Sequence, residues 1–503
     1  MARVLTNNVA LNYCIESSLG VAGTAWQQTE PNSIDTFGAE ITTVARSPIS
    51  RLKQRRKGTI VDLDSAVEFE ADFTMASALD FIEGFCFAAA AGGTEFAPTS
   101  CTTSAFVVAS GGSLAAGTLV YVRGATNDAN NGLHVVDTGS TGTSIAVTSS
   151  LTAETFTAAN NVTLEVAGVR GAAGDFEINS DGNLISTTLD FTTLDLTAGQ
   201  FIWIGGAVAA NQFFQQANAS VNYGLARIVS VAANLIVLDK KTSTYVADDG
   251  TSTGAGGTAR QIDLFFGRFV RNVSTDDADY LERTFQFEGE MPDLGGIGTD
   301  EYVYALGNFC NTMAINLPGQ DKATISFGFI GTDTEVPTTT RKSGASTAKK
   351  VTRQSALNTT SDIARLRVTE VDETGMTTDF KEMTLNINNN VSPEKVLGVL
   401  GARYMNSGNF EIDIEAQLVF TNSDVVDAIR NNTTVTMDML LKNDDGGVAI
   451  DIPSMTLGDG SMEFPLNESV LINVAAQAFK DDTLETSMGV SFFPYLPNVT
   501  GGA

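Results

Sequence analysis

Residues on which metal and cofactor chemistry depends are scarce in this sequence. Among 503 residues there is one histidine, His134, and there are four cysteines, none of them in a C-x-x-C pair. The usual zinc and iron–sulfur ligand sets are therefore missing. We expect no cofactor, no metal and no catalytic residue, with free, mostly buried thiols and with His134 at the surface or in a turn.

Long apolar runs and an excess of positive charge are missing as well. No window approaches about 18 consecutive apolar residues, and the start lacks a basic segment followed by an apolar core, so neither a membrane span nor a signal peptide is predicted. The sequence has 59 Asp plus Glu against 30 Lys plus Arg, a net charge of −29. Such a surface repels nucleic acid and anionic membranes. We expect a protein that is made and assembled in a cytoplasm.

Alternating apolar and polar residues predict a mainly β fold with a few helices. The clearest strand is Phe410–Phe420, in which one face is apolar and most of the other carries Glu, Asp or Gln. Further alternating runs lie at residues 67–73, 284–288, 323–329, 383–387 and 469–479. Helical spacing of apolar residues predicts a helix within 75–89 and another within 396–404, behind Ser392-Pro393-Glu394.

The stretch 93–261 differs from the rest of the sequence in its residue pattern, and it contains an internal repeat. Leu114–Gly124 is echoed by Leu196–Gly206, and Asn131–Val136 by Tyr223–Ile228. We interpret 93–261 as an inserted β-rich decoration region with two small modules, at about 105–150 and 189–240.

Two basic stretches stand out in this acidic chain. One runs from Arg51 to Lys57, and the other belongs to 331–361, a polar segment that we interpret as an arm or linker. We assign both to contacts between subunits, although the first could also be a nucleic-acid patch or a solvated hairpin. The proposed contact residues are Arg51, Lys53, Arg55, Arg56, Lys57, Arg341, Lys342, Lys349, Lys350 and Arg353.

Outside the insert, the sequence is similar to tail tube proteins of long, non-contractile-tailed bacteriophages (siphovirus type). The similarity covers about 1–92 and 262–500. The N-terminal segments that carry this similarity are Asn8–Tyr13, Glu30–Ile34, Gly38–Arg46 and Arg55–Ser65. The C-terminal segments are Gly307–Thr312, Asn388–Lys395 and Arg430–Val435.

The resemblance implies a β-sandwich with a flanking helix, whose inner strands join those of neighbouring subunits into one closed barrel. It implies a structural virion protein, not an enzyme, that forms the conduit for DNA ejection. Its partners would be other copies of itself, the tape measure protein and viral DNA in the lumen, and the tail terminator and distal tail proteins. Assembly would take place in the cytoplasm of the host bacterium, without a membrane.

A possible internal duplication of the chain affects the symmetry that we predict for the assembled ring. Val67–Phe73 and Phe410–Leu418 are both acidic alternating strands followed by a helix, and Glu70-Ala71 matches Glu415-Ala416. We predict two tail tube domains in tandem, one from 1–92 and 262–330 and one from 362–503. Two domains per chain would close a ring as a trimer with pseudo-sixfold symmetry; the alternative is one large domain in a hexameric ring.

Two other classes of function stay open from the residues alone. One is another phage structural β-protein, such as a capsid or decoration protein. The second is a carbohydrate-active tail fibre or spike, because carboxylate pairs are abundant. Only two tryptophans, Trp26 and Trp203, are available as sugar platforms, which disfavours the carbohydrate-active alternative.

Overall fold

The computed structural model describes most of the chain, and about half of the protein is β-strand. The described residues are 5–47, 49, 51, 53–75, 78–157, 161–214, 221–251, 257–293, 299–349, 354–373, 375, 379–421 and 423–497. Large antiparallel sheets dominate, and the prediction of a mainly β fold with a few helices is confirmed.

The elements follow one another in four blocks. The first block is β1 (Ala10–Ile15), β2 (Trp26–Thr29), β3 (Pro31–Arg46), β4 (Arg56–Asp72) and α1 (Leu79–Cys86). The second is β5 (Glu95–Phe96), β6 (Ser100–Cys101), β7 (Ala105–Val107), β8 (Thr118–Arg123), β9 (Gly132–Val135), β10 (Ser144–Ala146), β11 (Glu154–Thr155), β12 (Thr163–Arg170), β13 (Phe176–Ile178), β14 (Leu184–Ser186), β15 (Phe201–Ile204), β16 (Gly224–Ala232), β17 (Leu235–Asp239) and β18 (Asp263–Phe265).

The remaining blocks complete the chain. The third is β19 (Arg268–Arg271), β20 (Thr284–Met291), β21 (Glu301–Leu317), β22 (Thr324–Gly331) and β23 (Asp333–Thr334). The fourth is β24 (Ile363–Glu370), β25 (Phe380–Asn388), β26 (Ser392–Glu394), β27 (Tyr404–Asn406), β28 (Glu411–Val419), α2 (Asp424–Asn431), β29 (Thr434–Asn443), β30 (Gly446–Glu463), β31 (Leu471–Ala478) and β32 (Gly489–Phe493).

The first and last parts of the chain contain the same arrangement of strands. In one, the hydrogen-bonded order is β1-β20-β21-β22-β4-β3; in the other it is β24-β29-β30-β31-β28-β25. Each runs in the same chain order, with three strands, a helix and three more strands. We call these sets of six strands repeat 1 and repeat 2.

The repeats share a sheet through one internal seam. Thr312–Leu317 of β21 pair antiparallel with Met383–Asn388 of β25. This seam produces an eight-stranded sheet, β3-β4-β22-β21-β25-β28-β31-β30, with four strands from each repeat. A continuous apolar core lies behind it and includes buried side chains of both repeats. Aromatic rings dominate the core of repeat 1, where Phe69 lies 5.4 Å from Phe327 and 5.8 Å from Phe81.

Both helices cover this core and end in the same way. The α1 helix buries Phe81, Ile82 and Phe85, at the spacing that places side chains on one helix face. Its C-terminal residue is followed by Phe87 with φ +54°, and α2 is followed by Asn432 with φ +50°. Such left-handed residues satisfy the last carbonyls of a helix. The helix predicted within 75–89 is therefore present.

The prediction of a helix within 396–404 is wrong. The segment is the connection between the short paired strands β26 and β27. Gly398 and Gly401 have φ of +87° and +83°, which interrupts a helix. Leu397 is fully exposed, so the apolar spacing that suggested a helix has no core to face.

The inserted region consists of two cores joined by one sheet. Strands β9, β8 and β12 continue through β18 into β15, β16, β17, β14 and β13, with one buried cluster on either side. The sequence repeat has matching backbone geometry. Gly117 and Gly199 both have φ of +89°, while Gly132 and Gly224 have +105° and +109°. Equal left-handed turns at matching positions explain why glycine recurs there.

His134 is buried in the first of these cores rather than at the surface. Its ring nitrogens lie 2.6 Å from Ser149 Oγ and 3.2 Å from the Asn130 carbonyl. Burial lowers the pKa of His134 below its ordinary value. The expectation of a surface or turn histidine is wrong, because a neutral imidazole with two partners can be buried at little cost.

Candidate assembly surfaces

The solvent-facing side of the eight-stranded sheet is acidic. Side chains alternate between this side and the core, and residues in register form rows across the strands. One row is Ser33, Glu70, Ser326, Ala314, Asn386, Asp413 and Gln477. The carboxylates on this side of β4, β25 and β28 are Asp62, Asp64, Glu68, Glu70, Asp72, Glu382, Glu411, Asp413 and Glu415, of which Lys395 binds the first two. Lys322 compensates one of them, with Nζ 2.6 Å from Asp72.

The two ends of this sheet are open strand edges. The β3 strand pairs with β4 on one side and with no other strand among the described residues. At the other end, β30 pairs with β29 as far as Thr456 and then continues to Glu463 with β31 on one side alone. An open edge exposes backbone N–H and C=O groups that another strand can bind. Both ends can therefore accept a further strand.

The β3–β4 hairpin extends far beyond the sheet. The β4 strand pairs with β22 from Ser65 to Asp72, whereas β3 and β4 remain paired out to Arg46 and Arg56. At about 3.3 Å per residue, the part of the hairpin beyond the β4–β22 pairing is roughly 25–30 Å long. Its tip holds the first basic stretch, and the residues of that stretch that can be placed are exposed: Arg51, Lys53, Arg55, Arg56 and Lys57.

The second basic stretch is bound by carboxylates of its own chain. Arg341 binds Glu288, which is fully buried, at 2.6 Å, and Glu290 at 2.8 Å. Lys342 and Lys349 form ion pairs with Glu335 and Glu95 at 2.7 and 2.9 Å. These three cations already have carboxylate partners within the subunit. Lys350 and Arg353 lie outside the described residues.

The insert is held against repeat 2 by buried charges that sequence reasoning missed. Asp451 of β30 binds Lys240 at 2.6 Å and Arg227 at 2.7 Å, and all three side chains are at most 11% exposed. Arg227 also binds Asp239 at 2.6 Å. Although burial acts to lower it, the two carboxylates raise the pKa of Arg227. Next to them, Arg365 binds Asp438.

Apolar side chains complete the junction between the insert and repeat 2. Trp203 of β15 packs in one buried cluster with Phe265 of β18, with Leu440 of β29 in repeat 2 and with Phe493 of β32. Lys442 Nζ lies 4.9 Å from the centre of the Trp203 ring. The insert thus covers the side of repeat 2 that faces away from the acidic surface.

The thiols are buried, as expected. Cys14, Cys86, Cys101 and Cys310 are all free. Burial raises the pKa of Cys14 to about 11 and that of Cys310 well above its ordinary value. In the part of the chain that the structure describes, no group of three or more His, Cys, Asp and Glu side chains is arranged to hold a metal ion. No described helix is long and apolar enough to cross a membrane.

The described part of the chain thus presents a sheet that further strands can extend at both ends. Residues 242–481 match the model of a family described as phage tail tube protein. The match spans β18 to β31 and so includes all of repeat 2. No curated protein matches the chain.

The recognition of a phage tail tube protein from the sequence is confirmed. The family is structural and non-enzymatic. A match to this family implies self-assembly into a tube together with other phage tail proteins, and a place in the virion tail.

Proposed function

We propose that this chain polymerises into the tail tube of a long, non-contractile (siphovirus-type) phage tail and forms the conduit for DNA ejection. The observation that carries the proposal is the internal seam between β21 and β25. It joins two repeats of identical strand order into one wall segment whose two ends are still open. A wall of this kind continues by adding copies of itself until it closes.

The ring is a trimer with pseudo-sixfold symmetry. The two repeats correspond to the two tandem tube domains, at 1–92 with 262–330 and at 362–503. Three chains with eight strands each supply 24 strands, and six repeats supply the sixfold wall. A hexameric ring is the alternative, and it would need 48 strands of this sheet.

The acidic side of the sheet faces the lumen. Passing DNA carries about one negative charge per 1.7 Å of duplex, and like charge on the wall keeps it from adhering. The tape measure protein occupies the same lumen before ejection. The insert, on the opposite side of repeat 2, then decorates the outside of the tube.

The exposed basic tip of the β3–β4 hairpin contacts an acidic surface of the next ring. We retain Arg51, Lys53, Arg55, Arg56 and Lys57 in that role, since they are exposed. Tail terminator and distal tail proteins would bind the last rings in the same way. Catalysis, cofactors and membranes have no part in this function.

Electron micrographs of the purified chain test the proposal. Stacked rings or tubes with three chains per ring are expected, after assembly in a bacterial cytoplasm. Shells would favour a capsid or decoration protein, and release of reducing sugar from a glycan would favour the carbohydrate-active alternative. Six identical chains per ring would contradict the trimer.

Charge reversal tests the hairpin contact separately. The variant Arg55→Glu/Arg56→Glu/Lys57→Glu should remain folded by circular dichroism but lose tube formation. Lys480→Glu, a reversal at an exposed position after β31, is the matched control. Normal tubes from the triple variant would show that the basic tip has no role between rings.

A further inference from the structure

The open part of β30 has a partnered counterpart inside the chain. In repeat 1, β21 pairs with β20 as far as Phe309 and then, on the same side, with β25 from Thr312. In repeat 2, β30 pairs with β29 as far as Thr456. The following residues, from Leu457, occupy the position at which β21 binds β25, yet no strand among the described residues pairs with them there.

The opposite end of the sheet presents the matching half. In repeat 2, β25 lies between β28 and β21. In repeat 1 the equivalent strand is β3, which lies beside β4 and has its other edge open. The two halves of one further seam are therefore present, one at each end of the sheet, and neither is paired among the described residues.

The paired strands align the two seams residue by residue. Phe69 of β4 pairs with Phe327, which pairs with Met313. Ile414 of β28 pairs with Ala476, which pairs with Leu457. These two rows of paired residues occupy equivalent positions in the two repeats, because Phe69 and Ile414 each lie ten residues before the first residue of a helix. Leu457 is thus the equivalent of Met313.

The same step places β3 on β25. Ile412 pairs with Ile387, and its equivalent Val67 pairs with Phe37. Met313 pairs with Ile387 across the internal seam. On the solvent-facing side, Ala314 pairs with Asn386 in that seam. The equivalents of this second pair are Gly458 and Thr36.

On the basis of the proposed tube function, we propose that β30 of one chain pairs antiparallel with β3 of the next chain, with Leu457 opposite Phe37 and Gly458 opposite Thr36. The partner is a second copy of this chain. The side chains fit this register. Leu457 and Phe37 lie on the core side of their strands, where the internal seam has Met313 and Ile387.

The inter-chain ladder is shorter than the internal one. The β30 strand has a register shift between Asp459 and Met462, and Asp459 and Gly460 have φ of +65° and +81°. These left-handed residues bend the strand away from a straight ladder. The pairing therefore rests on the residues up to Gly458.

Disulfide crosslinking of assembled tubes tests this register. Directly opposed Cβ atoms in an antiparallel pair lie about 4.5–5.5 Å apart, within reach of a disulfide after small adjustment. The variant Thr36→Cys/Gly458→Cys should, after oxidation with copper phenanthroline, give covalent oligomers ending at a ring of three chains on non-reducing gels. A side chain at Gly458 meets only the Ala475 carbonyl, at 3.7 Å, and the native thiols are buried.

Three controls accompany this crosslink. Ala314→Cys/Asn386→Cys in the internal seam should give a disulfide within one chain, with no gain in mass. Ser33→Cys/Gly458→Cys is displaced along β3 to the next solvent-facing position, paired with Glu70 rather than Glu68, and should not crosslink. Tubes mixed from the single variants Thr36→Cys and Gly458→Cys should give covalent dimers only.

The possible outcomes distinguish failure of the proposed β30–β3 pairing from failure of the proposed tube function. Tubes that form without the Thr36→Cys/Gly458→Cys crosslink, or that crosslink through the Ser33→Cys pair instead, overturn the register and leave the tube function standing. If the double variant does not assemble, the mixed single variants decide in the same way. An unsubstituted chain that never forms rings in micrographs overturns the tube function, and the seam with it.

Discussion

Removing the charge of Asp451 should loosen the insert from repeat 2. This carboxylate is 2% exposed and binds Lys240 and Arg227 at 2.6 and 2.7 Å. The variant Asp451→Asn keeps the size and shape of the side chain. It leaves Lys240, which is 3% exposed, without its carboxylate, while Arg227 retains Asp239.

The magnitude follows from two opposed contributions. At an effective dielectric constant of about 20, each ion contact of about 3 Å is worth roughly 5 kcal/mol. Removing the Asp451 charge also recovers its desolvation cost, which is several kcal/mol for a buried ion. Loss of one member of a buried pair typically costs about 3–5 kcal/mol. Because Arg227 keeps a partner, we expect about 3 kcal/mol in the free energy of unfolding.

Tryptophan fluorescence can locate this loss. Trp203 lies in the junction between the insert and repeat 2, and Trp26 of β2 packs against repeat 1. In a Trp26→Phe background, urea unfolding of non-assembled chain reports the junction alone. The Asp451→Asn variant should shift the Trp203 transition to lower urea, whereas the Trp26 transition, followed in a Trp203→Phe background, should move less.

The matched control is an exposed ion pair. Glu335 is 39% exposed and binds Lys342, so Glu335→Gln should change stability by about 0–1 kcal/mol. A Trp203 transition in Asp451→Asn within about 1 kcal/mol of the original chain would refute the reasoning, because leaving a buried charge without its partner costs more than that.

Three further predictions concern single positions. Because burial lowers the pKa of His134, the unfolded chain binds the proton first, so stability should fall as pH drops below about 6.5; NMR titration of this one imidazole checks it, and an ordinary pKa would contradict it. Gly84→Ala places a Cβ 2.7 Å from Cys310 Sγ and should cost about 1–3 kcal/mol in thermal unfolding. Arg341→Met leaves the buried Glu288 carboxylate without its cation and should cost about 3–5 kcal/mol, largely restored by also replacing Glu288 with Gln, which removes the charge and can still hydrogen-bond with Asn12 and Tyr304; no restoration would contradict it.

Local periodicity predicted the strands because one face of each is buried. The run at 410–420 became β28, whose Ile412, Ile414 and Leu418 face the core. The same reasoning failed at 396–404, since apolar spacing shows a helix only if a core receives the apolar face. Leu397 meets solvent instead.

The match of Glu70-Ala71 with Glu415-Ala416 involves only two residues, yet it correctly aligns the two repeats. In the structure these residues occupy equivalent positions, with Ala71 paired to Ile325 and Ala416 to Val474. The internal seam itself could not be predicted, because pairing between β21 and β25 depends on edges that no local pattern encodes. For the same reason, the contact of Lys240 with Asp451, 211 residues apart, left no mark in the sequence.

The distribution of charge links these contacts to assembly. Cations such as Arg341, Arg365 and Lys240 form ion pairs with carboxylates of the same subunit. Among the described residues, Lys and Arg side chains without an ion-pair partner are concentrated at the hairpin tip, while the sheet keeps an acidic face. Pairing of strand edges is insensitive to this charge, because backbone hydrogen bonds form it. Ring closure should therefore survive high salt, whereas stacking through the basic tip should weaken as screening shortens the range of the attraction.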